Sequence, residues 1–305
     1  MSEGLELVLE SLAIYWTSSL PLAVLTACGA CMGTLLYVFL ANARNAKLRV
    51  SLLTGFYGLT VFFWLFIAVS LALCVWQARM VAYRTWGVQA AASGALLAAL
   101  ASSFGISFVV WRYGNARLLH RFAPIPVPRE YGWLRGYVDL LTKFEGLPPV
   151  EAGFIDSKEP LAMAIGGKAP HVLLSRGLLE GLDRDEIETV VTHELMHLKN
   201  HDAGFKVFST VLSRILIFDP FSKFFDPAVH REREYLADEM SGRSTRKPAA
   251  LASALLKISK LRAPRKSAWG ISILGPGTGL FSRYPPLEKR VERLLLLSYL
   301  LGDGS

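Results

Sequence analysis

Three stretches without a single charged side chain constrain this chain more than any other feature: residues 11–43, 50–78 and 85–111, which are 33, 29 and 27 residues long. An α-helix rises 1.5 Å per residue, so roughly 20 apolar residues cross the hydrocarbon core of a bilayer. Each run exceeds that length. Core helices of a soluble protein would carry a charged face at helical period, and these carry none. The pattern predicts three transmembrane helices within residues 1–111. With 52% of its 305 residues hydrophobic and 19% charged, the chain falls outside both the disordered and the purely soluble classes.

The charges lie elsewhere. Residues 1–111 hold five basic and three acidic side chains, and residues 112–305 hold 28 and 22. Two parts are therefore expected, a transmembrane helical region (1–111) and a domain of 194 residues (112–305). Arg44, Lys47 and Arg49 follow the first run, Arg79 and Arg84 the second, and Arg112, Arg117 and Arg121 the third. With acidic Glu3, Glu6 and Glu10 outside, the positive-inside rule predicts a multi-pass cell-membrane protein whose second part is cytosolic. The same acidic start argues against a signal peptide. Cys28, Cys31 and Cys74 all sit in the apolar runs, so no disulfide framework is expected. Gly29 and Gly33 read as ordinary helix packing.

In the second part, Pro124, Pro126 and Pro128 mark an extended linker, and a helix is expected over 133–144, closed by Gly146 and Pro148. Short runs at 150–155, 161–165 and 171–174 predict a meander of three strands. Asp183 and Glu186 form a capping box, starting a helix that runs to about His201. Residues 203–221 are apolar but contain Lys206, Arg214 and Asp219, which favours an interfacial or core helix over a fourth span. Helices are expected over 228–242, 247–261 and 287–301, with 263–286, rich in Gly and Pro, as a long loop and candidate flap.

On the capped helix stands His193-Glu194-Leu195-Met196-His197. A spacing of four puts both imidazoles on one helix face, where their ring nitrogens can grip one zinc ion, and Glu194 can accept a proton from a water in the site. A catalytic zinc needs a third protein ligand. His201 lies eight residues from His193, about 12 Å along the axis, which is too far. Glu234 and Asp238 in Glu232-Arg233-Glu234-Tyr235-Leu236-Ala237-Asp238 share a face, so one can ligate while the other receives a ligand histidine's second ring N–H.

At this point the chain resembles a known family. The run Pro160 to Asp202, "PLAMAIGGKAPHVLLSRGLLEGLDRDEIETVVTHELMHLKNHD", with the later "EREYLAD" and "LFSRYPPLEKRVERL", is similar to the HtpX and CAAX-prenyl-endopeptidase group of integral-membrane gluzincin metalloproteases. The resemblance implies one Zn2+ per chain held by His193, His197 and Glu234, with Glu194 as general base and Asp238 behind the ligands. It also implies that the strand carrying Ala162, Met163 and Ala164 is an edge on which substrate backbone pairs.

Two departures stand out. The family has a His before its double proline, thought to stabilise the oxyanion, where this chain has Tyr284-Pro285-Pro286. A tyrosine hydroxyl can donate to the same oxyanion, and Arg290 matches the family's downstream arginine. The spacing between His197 and Glu234 looks more like the BlaR and MecR type of membrane metalloprotease. No penicillin-binding domain follows, so direct antibiotic sensing is not expected.

The expected fold is therefore a three-helix transmembrane region followed by an α+β zincin-like metalloprotease domain with a small sheet and an active-site helix. The expected function is a zinc metalloendopeptidase acting from the cytosolic side on membrane or membrane-proximal proteins. Two alternatives are a regulatory protease that cleaves itself or a repressor, and a non-catalytic zinc-containing scaffold. Partners are protein or peptide substrates and the lipid bilayer. The basic segments 243–247 and 257–266 fit an anionic leaflet better than nucleic acid. The natural substrate and oligomeric state are not encoded in any motif.

Overall fold

The computed structural model describes residues 3–41, 46–80, 83–200, 220–261 and 282–302. The expected helix or span at 203–221, the position of His201 and most of the expected flap lie outside them. The chain divides into two units, Met1–Val109 and Val110–Ser305.

In the first unit the helices are α1 (Glu3–Thr17), α2 (Ser19–Ala41), α3 (Ala46–Met80) and α4 (Tyr83–Phe122), the last continuing into the second unit. The first apolar run is thus two helices. Pro21 explains the break, because proline lacks an amide hydrogen and fits only the first turn of a helix. Ser18 fills the joint by donating from Oγ to the Tyr15 carbonyl at 2.7 Å. Among the described residues, Ser19–Phe39 and Gly58–Trp76 are long and apolar enough to cross a membrane, while the apolar part of α4, Ala90–Ser102, is shorter. Small residues let the helices approach: Ala91, Ala92 and Cys74 pack around Tyr15, and Ala95 and Ala99 around Phe66. Tyr15 and Ser70 share a hydrogen bond of 2.8 Å inside this packing.

The second unit combines a small mixed sheet with helices. Its strands are β1 (Ile125–Pro126), β2 (Glu151–Ile155), β3 (Ala162–Ile165) and β4 (His171–Ser175), and its helices are α5 (Trp133–Phe144), α6 (Arg176–Gly181), α7 (Arg184–Lys199), α8 (Pro220–Thr245), α9 (Pro248–Leu261) and α10 (Leu287–Leu301). The sheet order is β1-β2-β4-β3. This corrects the expected meander: β4 lies between β2 and β3, parallel to β2 and antiparallel to β3. The cause is local. Ser175 Oγ donates to the Glu159 carbonyl at 2.7 Å and accepts from Leu161 N at 2.8 Å, and Gly177 N donates to the Ser157 carbonyl at 2.9 Å. These bonds carry the β2–β3 connection over the start of α6, which delivers β3 to the free edge and leaves the buried, apolar β4 in the middle.

One apolar core joins these layers, with Leu134 and Val138 from α5, Leu174 from β4, Val190, Val191 and Leu195 from α7, and Leu251, Leu255 and Ile258 from α9. α8 begins at Pro220 and runs through Pro227, eight residues earlier than expected. An interior proline costs a hydrogen bond, and here the buried packing of that segment outweighs the cost.

Candidate active site

The site is built on α7. Asp183 accepts from Glu186 N at 3.0 Å, and the Glu186 carboxylate accepts from Asp183 N at 2.9 Å, which fixes the first turn. Glu186 is itself held by Ser253 and Lys257 of α9, so the cap is tied to the core. Ten residues of helix then bring His193, Glu194 and His197 inside, all buried, His193 completely. The two imidazole rings stand 4.8 Å apart and nearly perpendicular.

α8 supplies the opposing wall. Oε2 of Glu234 lies 3.5 Å from Nε2 of His193, and Oε1 lies 3.5 Å from Nε2 of His197. All three ligand atoms fall within 4.8 Å of one another. Nitrogen and oxygen ligands at about 2.0–2.1 Å from a tetrahedral ion sit about 3.4 Å apart, so this spacing fits a small divalent cation better than direct hydrogen bonding. The His193 Nε2 atom is buried without a hydrogen bond, as a ligand atom would be. These residues therefore fit a metal.

Behind the ligands, Nδ1 of His193 lies 3.0 Å from Oδ1 of Asp238. Arg290 of α10 donates to the same carboxylate twice, and its Nη1 lies 3.4 Å from Glu234. Burial works against the His193 proton, but the Asp238 and Glu234 carboxylates outweigh it and raise the imidazole pKa to about 9. Burial likewise opposes charge on Asp238, and Arg290 and His193 reverse this and hold the carboxyl below its usual range. The pocket is thus electronegative where the ligand atoms converge, and the cation-attracting field comes from carboxylates that Arg290 only partly balances.

Glu194 faces the sheet, where its Oε2 accepts from Ala164 N at 2.8 Å. Among the described residues β3 pairs only with β4, so the strand carrying Ala162, Met163 and Ala164 is the sheet edge beside Glu194. Ala162 and Met163 are buried, and Ala164 is half-buried. Tyr284 is buried where the chain approaches α10, its backbone bonded to Ser282 Oγ.

Sequence reasoning missed one group. Asp226 and His230 continue the four-residue ladder of Glu234 and Asp238 along α8, and both are buried. Asp226 accepts from Arg283 Nε at 2.6 Å and lies 3.4 Å from His230 Nε2, while Arg231 donates to the Ser282 carbonyl at 2.7 Å. Together these pin the segment before Tyr284 to α8. The repeat 226-230-234-238 was the available signal. A separate cavity of about 450 Å3, lined by Arg135, Asp139, Glu151 and His171 among others, contains none of the candidate site residues.

The chain is similar to several known proteins. Residues 157–279 match the model of the BlaR1 peptidase M56 family. The HtpX protease homologue of Pyrococcus abyssi is 31% identical over 241 residues, covering 64% of this chain and 81% of the relative. That of Pelotomaculum thermopropionicum is 31% identical over 250 residues, covering 66% and 89%. The crystal structure of S. mikatae Ste24p aligns with 82% of this chain and 86% of its own at 14% identity and a TM-score of 0.39. With relatives this similar along most of their length, the chain belongs to the HtpX type of membrane metalloproteases and is a metalloendopeptidase.

Proposed function

We propose that the chain is a zinc metalloendopeptidase of membrane or membrane-proximal proteins, with one Zn2+ per chain held by His193, His197 and Glu234. The observation that carries this is the convergence of three buried ligand atoms within 4.8 Å of one another across α7 and α8, with Glu194 beside them. Zinc held by these three residues would supply Lewis-acid chemistry to the site.

The remaining chemistry falls to the chain's own side chains. Glu194 takes a proton from the attacking water and returns it to the leaving amine. Asp238, gripped by Arg290, holds the His193 ring in one orientation and makes it a better ligand. The β3 edge at Ala162, Met163 and Ala164, where Glu194 now holds the Ala164 amide, pairs with an extended substrate, which places the scissile carbonyl near Glu194. Tyr284 donates its hydroxyl to the developing oxyanion, and Arg290 braces that part of the site. Residues 1–111 anchor the enzyme with three spans, and residues 112–305 form the protease domain on the cytosolic side.

Chelation tests this reading. The chelated enzyme is expected to lose cleavage of an unfolded protein and to regain it with one equivalent of zinc per chain. Full activity in metal-free protein would contradict it.

A second reading is a regulatory protease that cleaves itself or a repressor. The match of residues 157–279 to BlaR1 peptidase M56 favours it over a non-catalytic scaffold. Self-cleavage fragments present in purified wild type and absent from Glu194→Gln would support it, and a chain that stays intact in both would count against it.

A further inference from the structure

The end of α10 presents a surface that neither the metal site nor the apolar core uses. Charged residues occupy the first half of this helix, and residues 294–301 contain none. Leu294 and Leu297 turn inward, but Tyr299 is 80% exposed and Leu300 70%, with Leu295, Leu296 and Leu301 exposed beside them. A helix end this apolar on its outer side is normally covered.

Leu297 shows what adjoins it. Its Cδ2 would lie 2.8 Å from a Cβ built on Gly242, so the tip packs directly on the C-terminal end of α8. That end and the residue after it carry exposed Arg243, which pairs with Glu239 at 3.0 Å on the helix surface, and exposed Arg246. This stretch also opens the most basic part of the chain: residues 240–287 hold nine Lys and Arg and no Asp or Glu. The surface is therefore an apolar tip carrying an exposed tyrosine, flanked by arginines.

We propose that residues 294–301 rest in an anionic lipid leaflet, with Arg243 and Arg246 at the phosphates and Tyr299 at the interface. The inference rests on the membrane reading above. Lipid fits better than a second copy of the chain, because a two-fold contact through this tip would bring the same arginine pair of each copy together. Insertion of the leucines satisfies the apolar tip, and anionic headgroups satisfy the arginines.

The test uses the full chain in nanodiscs containing anionic phospholipid and lipid-borne quenchers, in a background with Cys28, Cys31 and Cys74 replaced by serine. A fluorophore at Leu300→Cys is expected to be quenched severalfold more than one at Glu180→Cys. The latter position adjoins Gly181, which meets Leu261 at the opposite end of α9. Replacing both arginines by glutamine, or using only zwitterionic lipid, should lower the inserted population by roughly tenfold. Equal quenching at the two positions overturns the proposal, as does a disulfide between two copies at position 300. A third label at Leu71→Cys in α3 separates the two failures. Quenching there without quenching at 300 rejects this inference alone, and no quenching at either position rejects the membrane reading with it.

Discussion

Arg290 donates two hydrogen bonds to the Asp238 carboxylate, from Nε to Oδ2 at 2.7 Å and from Nη2 to Oδ1 at 2.6 Å, and Asp238 in turn faces Nδ1 of His193 at 3.0 Å. The chain Arg290–Asp238–His193 links the last described helix to the candidate metal site through groups that are all buried. Such a geometry makes the arginine a structural counter-charge as well as a brace. Replacing it by methionine strands two buried carboxylates. The expected destabilisation is about 3–5 kcal/mol, read by denaturant or thermal unfolding of the detergent-solubilised protein. Asp238→Asn keeps the shape and removes the charge, and should weaken zinc binding about 10–100-fold in a competition titration.

The raised His193 pKa has a defined consequence in metal-free protein. A folded pKa of about 9, above the ordinary 6.5, means that the proton stabilises the fold fully below pH 6.5. That contribution fades as pH rises through about 9. Chelated protein should therefore unfold more easily at pH 9 than at pH 6, whereas zinc, which competes with the same proton, should bind more tightly at the higher pH. Thermal melts with and without chelator at both pH values check the sign.

Gly177 is a position where a side chain cannot be added without moving backbone. A Cβ there would lie 2.0 Å from the carbonyl oxygen of Lys158. Gly177→Ala should push the β2–β3 connection outward and cost about 1–3 kcal/mol in an unfolding titration. Because the same connection delivers β3 to the edge, turnover of an extended peptide should fall as well, mainly through a raised KM.

Much of the second unit was legible because its signals are local. The capping box at Asp183 and Glu186 placed α7, and α5 and α10 fall where apolar periodicity and the flanking Gly and Pro residues put them. The His-Glu-x-x-His spacing and the four-residue step from Glu234 to Asp238 were readable for the same reason. The sheet order was not, because it depends on Ser175 and Gly177 bonding to residues 157–161, a contact made only once the strands have assembled. Asp226 and His230 escaped for a similar reason: Arg283, the partner of Asp226, is 57 residues from it in sequence. In the first unit, run length alone overstated the regularity of the first helix, since Pro21 divides it.

The most direct measurement compares wild type with Glu194→Gln, both loaded with one zinc per chain, on one unfolded protein substrate. Glutamine keeps the size of the side chain and removes its ability to accept a proton, so cleavage should fall at least about 100-fold while metal content stays equal. Equal cleavage by the two zinc-loaded proteins would contradict the assignment of Glu194 as the base and, with it, the proposed mechanism.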